Sequence, residues 1–183
     1  MHERRYAGGI ERLRSPERVR LLEVERVIDL ALSGAEIRTV LDVGTGSGIF
    51  AEAFARRGLS VTGIDPQPGM LEAAREYVPA GVFQSGTVEQ IPFPDRSFDL
   101  VFLGHVLHES DDLERALGET VRCARARVAI LEWPYLEETA GPPIAHRLRP
   151  EEILETARKI GCRTPEVRRL DHMVLILLPG SGA

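Results

Sequence analysis

The 183-residue sequence predicts a doubly wound α/β fold, a mostly parallel sheet covered by helices on both faces. Three observations lead there. Short apolar runs with strand character alternate five times with stretches of helical periodicity. The first run ends in Gly44-Thr45-Gly46-Ser47-Gly48, a glycine-rich turn leading into a helix. Two further runs near the C-terminus stand two residues apart, which is hairpin spacing, so an antiparallel strand joins the sheet.

Taken in order, Ser15 caps a helix with Pro16 at its first position and Glu17 near the positive end of the dipole. Val19, Leu22, Val27, Leu30 and Ala31 recur along it, and Gly34 closes it. Thr39 to Val43 is the first strand, and Ile49 to Arg57 the helix after the glycine turn, stopped by Gly58. Ser60 to Ile64 is a strand, Asp65-Pro66-Gln67-Pro68 opens a helix reaching Tyr77, and Val82 to Ser85 is a short strand. Phe98 to Leu103 is a strand, Asp111 to Cys123 a helix, and Arg127 to Glu132 a strand. A Pro-rich irregular stretch from Trp133 to Arg149 precedes the helix Pro150 to Ile160. Val167 to Leu170 and Met173 to Leu178 form the hairpin.

Composition narrows the function classes. Apolar residues at 43% and charged residues at 28% suit a single globular domain. With 23 Lys plus Arg against 28 Asp plus Glu, the net charge of -5 argues against a protein held to nucleic acid by charge. No run approaches the roughly 18 apolar residues of a membrane helix, and the N-terminus leads into Gly8-Gly9 instead of an apolar secretory segment. Cys123 and Cys162 lack metal-ligand spacing and read as reduced thiols. The expectation is a cytoplasmic protein.

The chemistry concentrates at strand ends. Gly44, Gly46 and Gly48 bring a ligand against main-chain N–H groups. Asp65 ends the second strand 21 residues after Gly44, where a carboxylate accepts hydrogen bonds from the ribose hydroxyls of an adenosyl ligand. A dinucleotide fingerprint needs a glycine at position 49, which is isoleucine, and Asp42 would repel a pyrophosphate while suiting a cationic ligand. A nicotinamide-dependent oxidoreductase is therefore disfavoured.

From Val40 to Glu132 the sequence resembles the class I S-adenosylmethionine-dependent methyltransferases, of the broad group that includes the ubiquinone/menaquinone-biosynthesis enzymes (methyltransferase type 11). The resemblance rests on Leu41-Asp42-Val43-Gly44-Thr45-Gly46-Ser47-Gly48, on Gly63-Ile64-Asp65 with Met70-Leu71, on the run from Glu89 to Asp99, and on His105-Val106-Leu107-His108. It implies a Rossmann-like seven-stranded sheet with an antiparallel seventh strand, and S-adenosylmethionine as cofactor. It further implies that Asp42, Gly44, Thr45 and Gly46 face the methionine part of the cofactor, and that Asp65 holds the ribose with Pro66 and Met70 beside the adenine. Thr87 and Val88 stand where the family usually has Asp-Ala at the adenine amino group, and Gly104 and His105 fall beside the sulfonium. The family's Lys-Pro-Gly-Gly turn is replaced by Cys123-Ala124-Arg125-Ala126-Arg127.

His105, His108 and Glu109 cluster at the same end, but H-x-x-H-E is not a zinc-binding pattern, and no metal is expected. Either His108 and Glu109 cap the following helix while His105 packs on the cofactor, or His108 is the catalytic base. Phe93 and Phe98 read as core. The domain divides into an N-terminal helical cap (1–36), a cofactor-binding core (37–133), an irregular segment (134–149) and the C-terminal helix and hairpin (150–183). The segment 134–149 either walls a substrate pocket or packs as a crossover on the last helix. The reading is methyl transfer to a small-molecule acceptor, with no nucleic-acid or membrane partner. Its alternative is a non-catalytic module binding S-adenosylmethionine or S-adenosylhomocysteine.

Overall fold

The computed structural model describes residues 9–138, 140–162 and 164–182. One seven-stranded sheet organises them, in the order β3-β2-β1-β4-β5-β7-β6. Its strands are β1 (Thr39–Val43), β2 (Ser60–Ile64), β3 (Val82–Gln84), β4 (Phe98–Gly104), β5 (Ala124–Glu132), β6 (Glu166–Arg169) and β7 (Val174–Pro179). β1 to β5 pair in parallel, whereas β7 runs antiparallel to both β5 and β6, as the hairpin spacing predicts.

Alternation along the strands divides the core into two layers. On β4, Leu100 and Phe102 join one cluster with Phe50, Phe54 and Ala129, while Val101 and Leu103 join the other with Leu117, Ile130 and Ile153. Strands buried on both faces read as near-continuous apolar runs. The first layer is built by α3 (Val24–Leu32), α4 (Ile49–Arg56) and α5 (Pro68–Tyr77). The second uses α6 (Leu113–Cys123) and α7 (Pro150–Lys159). Phe93 and Phe98 meet edge-on at 5.0 Å between ring centroids, Phe98 in the core and Phe93 packed against it. Cys123 and Cys162 are buried and free.

One element departs from its periodicity. The single helix expected from Ser15 to Gly34 is broken into α2 (Pro16–Leu21) and α3, with a short α1 (Ile10–Leu13) before them. Glu23 turns left-handed at φ 46°, and its carboxylate accepts from the Asp171 N–H and pairs with Arg26. The apolar spacing slips by one residue between Leu22 and Val27, so a straight helix cannot bury both. The break lets α3 pack on α4 while α2 turns towards the ends of the strands.

Candidate active site at the C-terminal strand ends

A cavity of about 590 Å³ opens at the C-terminal ends of β1, β2, β4 and β5, where strand order reverses. Open parallel sheets bind ligands at this place, and the volume lies in the roughly 300–1,000 Å³ range of small-molecule sites.

The glycine turn after β1 forms one wall. Gly44 has φ 65°, and a Cβ there would stand 2.2 Å from Val106 Cγ2, so both conformation and space require glycine. The turn is pinned by the Thr45 N–H donating to the Ile64 carbonyl at 2.9 Å. Asp42, buried at the end of β1, accepts from Thr45 Oγ1 at 2.7 Å. Burial, with the charge of Asp65 nearby, pushes its carboxyl up to about 7 against the opposing Thr45 and Ala51 hydrogen bonds. Asp65 accepts from the Gly46 N–H at 3.0 Å and the Gln67 N–H at 2.8 Å; burial nevertheless holds its pKa above the ordinary value. Each carboxylate oxygen has about two lone-pair sites, so both of Asp65's can accept a further bond. Two buried carboxyls side by side favour a cationic, hydroxyl-bearing ligand. Pro66 and Met70 flank Asp65, and Thr87 and Val88 line the same side.

The opposite wall starts at Gly104 and His105. His105 is held left-handed at φ 62° by its N–H donating to the Leu131 carbonyl at 2.9 Å. Its ring packs on Trp133 with centroids 4.8 Å apart, is 9% exposed, and has no hydrogen-bond partner at either nitrogen among the described residues. Burial, helped by Arg18 and His108 and opposed by Glu132, drives its pKa down to about 3, so it is a neutral imidazole. A buried imidazole on a left-handed backbone, lining a cavity with neither nitrogen paired among the described residues, is a candidate ligand-binding group.

His108 sits in a 3₁₀ turn, Leu107–Glu109, after β4. Its Nδ1 lies 2.8 Å from Glu132 Oε2, and its N–H donates to Glu132 Oε1 at 3.2 Å. Burial works against the imidazolium, but the Glu132 charge and hydrogen bond outweigh it and raise the His108 pKa. Burial likewise opposes ionised Glu132, yet the charge and hydrogen bonds of His108 hold its pKa low. The expectation that His108 and Glu109 cap the next helix is corrected here. The cap of α6 is Asp112, accepting from the Arg115 N–H at 3.0 Å, and His108 turns to Glu132 instead.

Two segments complete the enclosure. Arg12 and Leu13 of α1, with Arg18 and Leu22, line the cavity from above. Arg14 holds that cap to the core: it pairs with Glu52, donates to the Ser47 carbonyl at 2.7 Å and lies 3.4 Å over the Tyr77 ring. Gly141, Pro142, Pro143 and His146 of the irregular segment line the cavity. Buried Arg147 ties that wall together, donating to the Pro134, Leu136, Ala140 and Pro142 carbonyls at 2.6–3.0 Å. Arg147→Lys loses the planar fork, and native-state proteolysis within residues 134–149 is expected to speed up about 30-fold, equivalent to about 2 kcal/mol of local stability. Unchanged cleavage would show that the wall stands without it.

Every residue assigned to the site in the sequence, from Asp42 to His108, lines this one cavity. Glu132, which stands behind His108, was not among the residues assigned from the sequence, whereas Arg12, Leu13, Arg18 and Leu22 fall in the expected N-terminal cap and Trp133 opens the irregular stretch. Glu132 left a usable signal, an acid ending the apolar run Val128–Leu131 at the ligand-binding end of a strand. Among the described residues no group of three or more His, Cys, Asp or Glu is placed to hold a metal ion.

Comparison with known proteins agrees with this geometry. Residues 41–131 match the family described as "Methyltransferase domain". A malonyl-[acyl-carrier protein] O-methyltransferase of Serratia marcescens is 39% identical over 92 residues, 50% of this chain and 36% of that protein. An uncharacterized methyltransferase of Mycobacterium tuberculosis is 37% identical over 108 residues, 58% of this chain and 44% of that protein. The chain thus spans less than half the length of these relatives. The crystal structure of an S-adenosylmethionine-dependent methyltransferase from Aquifex aeolicus superposes with a TM-score of 0.81 at 25% identity, covering 93% of this chain and 96% of that one. Residues 41–131 are a methyltransferase domain of the class I, S-adenosylmethionine-dependent family.

Proposed function

We propose that the protein transfers the methyl group of S-adenosylmethionine to a small-molecule acceptor. The observation that carries this reading is the meeting, in one cavity, of the Asp42–Asp65 carboxyl pair with the unpartnered His105. Asp42 and Thr45 would take the cationic amino end of the cofactor, with the backbone of Gly44 and Gly46 beside it. Asp65 would take the ribose hydroxyls, Pro66, Met70, Thr87 and Val88 the adenine, and Gly104 and His105 the sulfonium side. The cofactor supplies a methyl carbon already activated by positive sulfur, so the protein's task is chiefly alignment. In this reading 1–36 is a cap, 37–133 the cofactor-binding core, 134–149 the acceptor-side wall, and 150–183 the closing helix and hairpin. A cytoplasmic setting and a small-molecule partner belong to the same proposal. Among the described residues no helix is long and apolar enough to cross a membrane.

Isothermal titration with S-adenosylmethionine and S-adenosylhomocysteine, and a nicotinamide dinucleotide as control, tests it. Binding of the adenosyl-sulfur ligands alone is expected, and Asp65→Ala is expected to weaken it by about 1–3 kcal/mol through lost charge-assisted hydrogen bonds. No binding by the folded protein would remove the cofactor assignment. Binding without turnover on any acceptor would favour the non-catalytic module.

A further inference from the structure

The cavity holds one charged device that cofactor binding alone does not require. His108 and Glu132 are both buried, with side chains 6% and 4% exposed, and Glu132 engages both the ring and the backbone N–H of His108. Removing an ion pair from water is costly unless the pair has a task or is otherwise compensated. Glu132 takes Nδ1, and Nε2 makes no hydrogen bond among the described residues although His108 lines the cavity. The arrangement is a base held in one tautomer by a carboxylate behind it. The charged and titratable groups acting on His108 are Glu132 of β5, the adjacent Glu109, Arg147 of the wall and His105.

Resting on the methyltransferase reading, we infer that His108, positioned by Glu132, is a general base and that the acceptor is a weakly acidic hydroxyl, a phenol or enol, on an apolar body. The nucleophile's chemistry selects this class. A carboxylate is already ionised, and a neutral amine attacks to give a stable ammonium, so neither needs a base. A neutral hydroxyl would become an oxonium on attack and must lose its proton as the bond forms. Phenolic hydroxyls, near pKa 10, lie within reach of an imidazole, whereas an alcohol near the value of water does not. In its neutral form, Nδ1–H held by Glu132, His108 takes the O–H proton on Nε2. An oxygen lone pair forms the new O–C bond to the methyl as the C–S bond breaks, and that electron pair stays on sulfur. Glu132 balances the imidazolium until water takes its proton. Leu22, Phe50, Trp133 and Pro142 offer the apolar body its walls.

The test uses the full chain saturated with unreactive S-adenosylhomocysteine. Naphthol and umbelliferone, whose neutral and anionic forms absorb differently, are titrated with pH beside naphthylamine and aminocoumarin. A bound hydroxyl ionising at least one pH unit below its free value is expected, and His108→Gln should abolish the shift while leaving S-adenosylhomocysteine affinity within about twofold. With S-adenosylmethionine, hydroxyl methylation should fall about 100-fold or more in His108→Gln. Glu132→Gln should move the acid limb of the rate profile to lower pH and reduce the plateau, a response that a merely structural Glu132 would not give. Failure of the hydroxyls to bind, ionisation indifferent to His108→Gln, or methylation of the amines in preference would overturn the acceptor class with the cofactor reading intact. Loss of S-adenosylhomocysteine binding in the unaltered protein would instead strike the reading on which it rests.

Discussion

Asp42→Asn is expected to raise the melting temperature of the ligand-free protein at pH 8 while weakening S-adenosylmethionine binding by one to two orders of magnitude. Both effects have one origin. Burial holds the Asp42 carboxyl near 7 against an ordinary 3.8, so between those values the folded protein binds a proton that the unfolded chain has released. Stability therefore falls as pH rises through that window, and above it ionised Asp42 costs about 4 kcal/mol. Asparagine keeps an oxygen for the Thr45 hydroxyl without that cost, which for a chain of this size is worth roughly 8–16 °C. The cationic cofactor needs the charge that the free protein resists, and losing a charge-assisted bond costs about 1.5–3 kcal/mol. In the unaltered protein, affinity should rise about tenfold from pH 6 to pH 8 as Asp42 ionises, and in Asp42→Asn that dependence should vanish. Calorimetric titration across this range, with thermal melts of the free protein, decides it. A destabilised Asp42→Asn with unaltered affinity would mean that the carboxyl is structural.

Glu132→Ala is expected to cost about 3–5 kcal/mol in urea denaturation, because it leaves buried His108 without its counter-charge. The pH dependence follows from the two directions of shift. Glu132 is lowered, so its contribution is present above the ordinary carboxylate range and lost as pH falls through its depressed folded value. His108 is raised, so its contribution is full below about 6.5 and lost as pH rises through its elevated folded value. The gap between the two proteins should be widest between these limits and narrow on the alkaline side. Removing both partners in His108→Gln/Glu132→Gln should cost less than the sum of the single changes. A gap independent of pH would place the cost in packing alone.

Much of the architecture was legible because its signals are local. Strand runs buried on both faces read as apolar blocks, hairpin spacing forces antiparallel pairing, and Gly44 stands where the chain must turn tightly against Val106. Asp42 and Asp65 were legible for the same reason, Asp42 being the penultimate residue of β1 and Asp65 following β2 directly. The unbroken first helix was misread because its weak periodicity was taken without the phase slip at Leu22, which the core resolves by turning Glu23 left-handed.

The sequence by itself determined the order of strands and helices, the glycine turn and the acids beside it, since each depends on residues a few positions apart. Tertiary structure alone decided that Glu132 stands behind His108, 24 positions away, that Arg14 draws the cap onto Ser47 and Glu52, and that Arg147 gathers four carbonyls into a wall. Those partners meet only once the sheet has brought β4 beside β5 and the helices have packed on it, and no local periodicity records such a meeting.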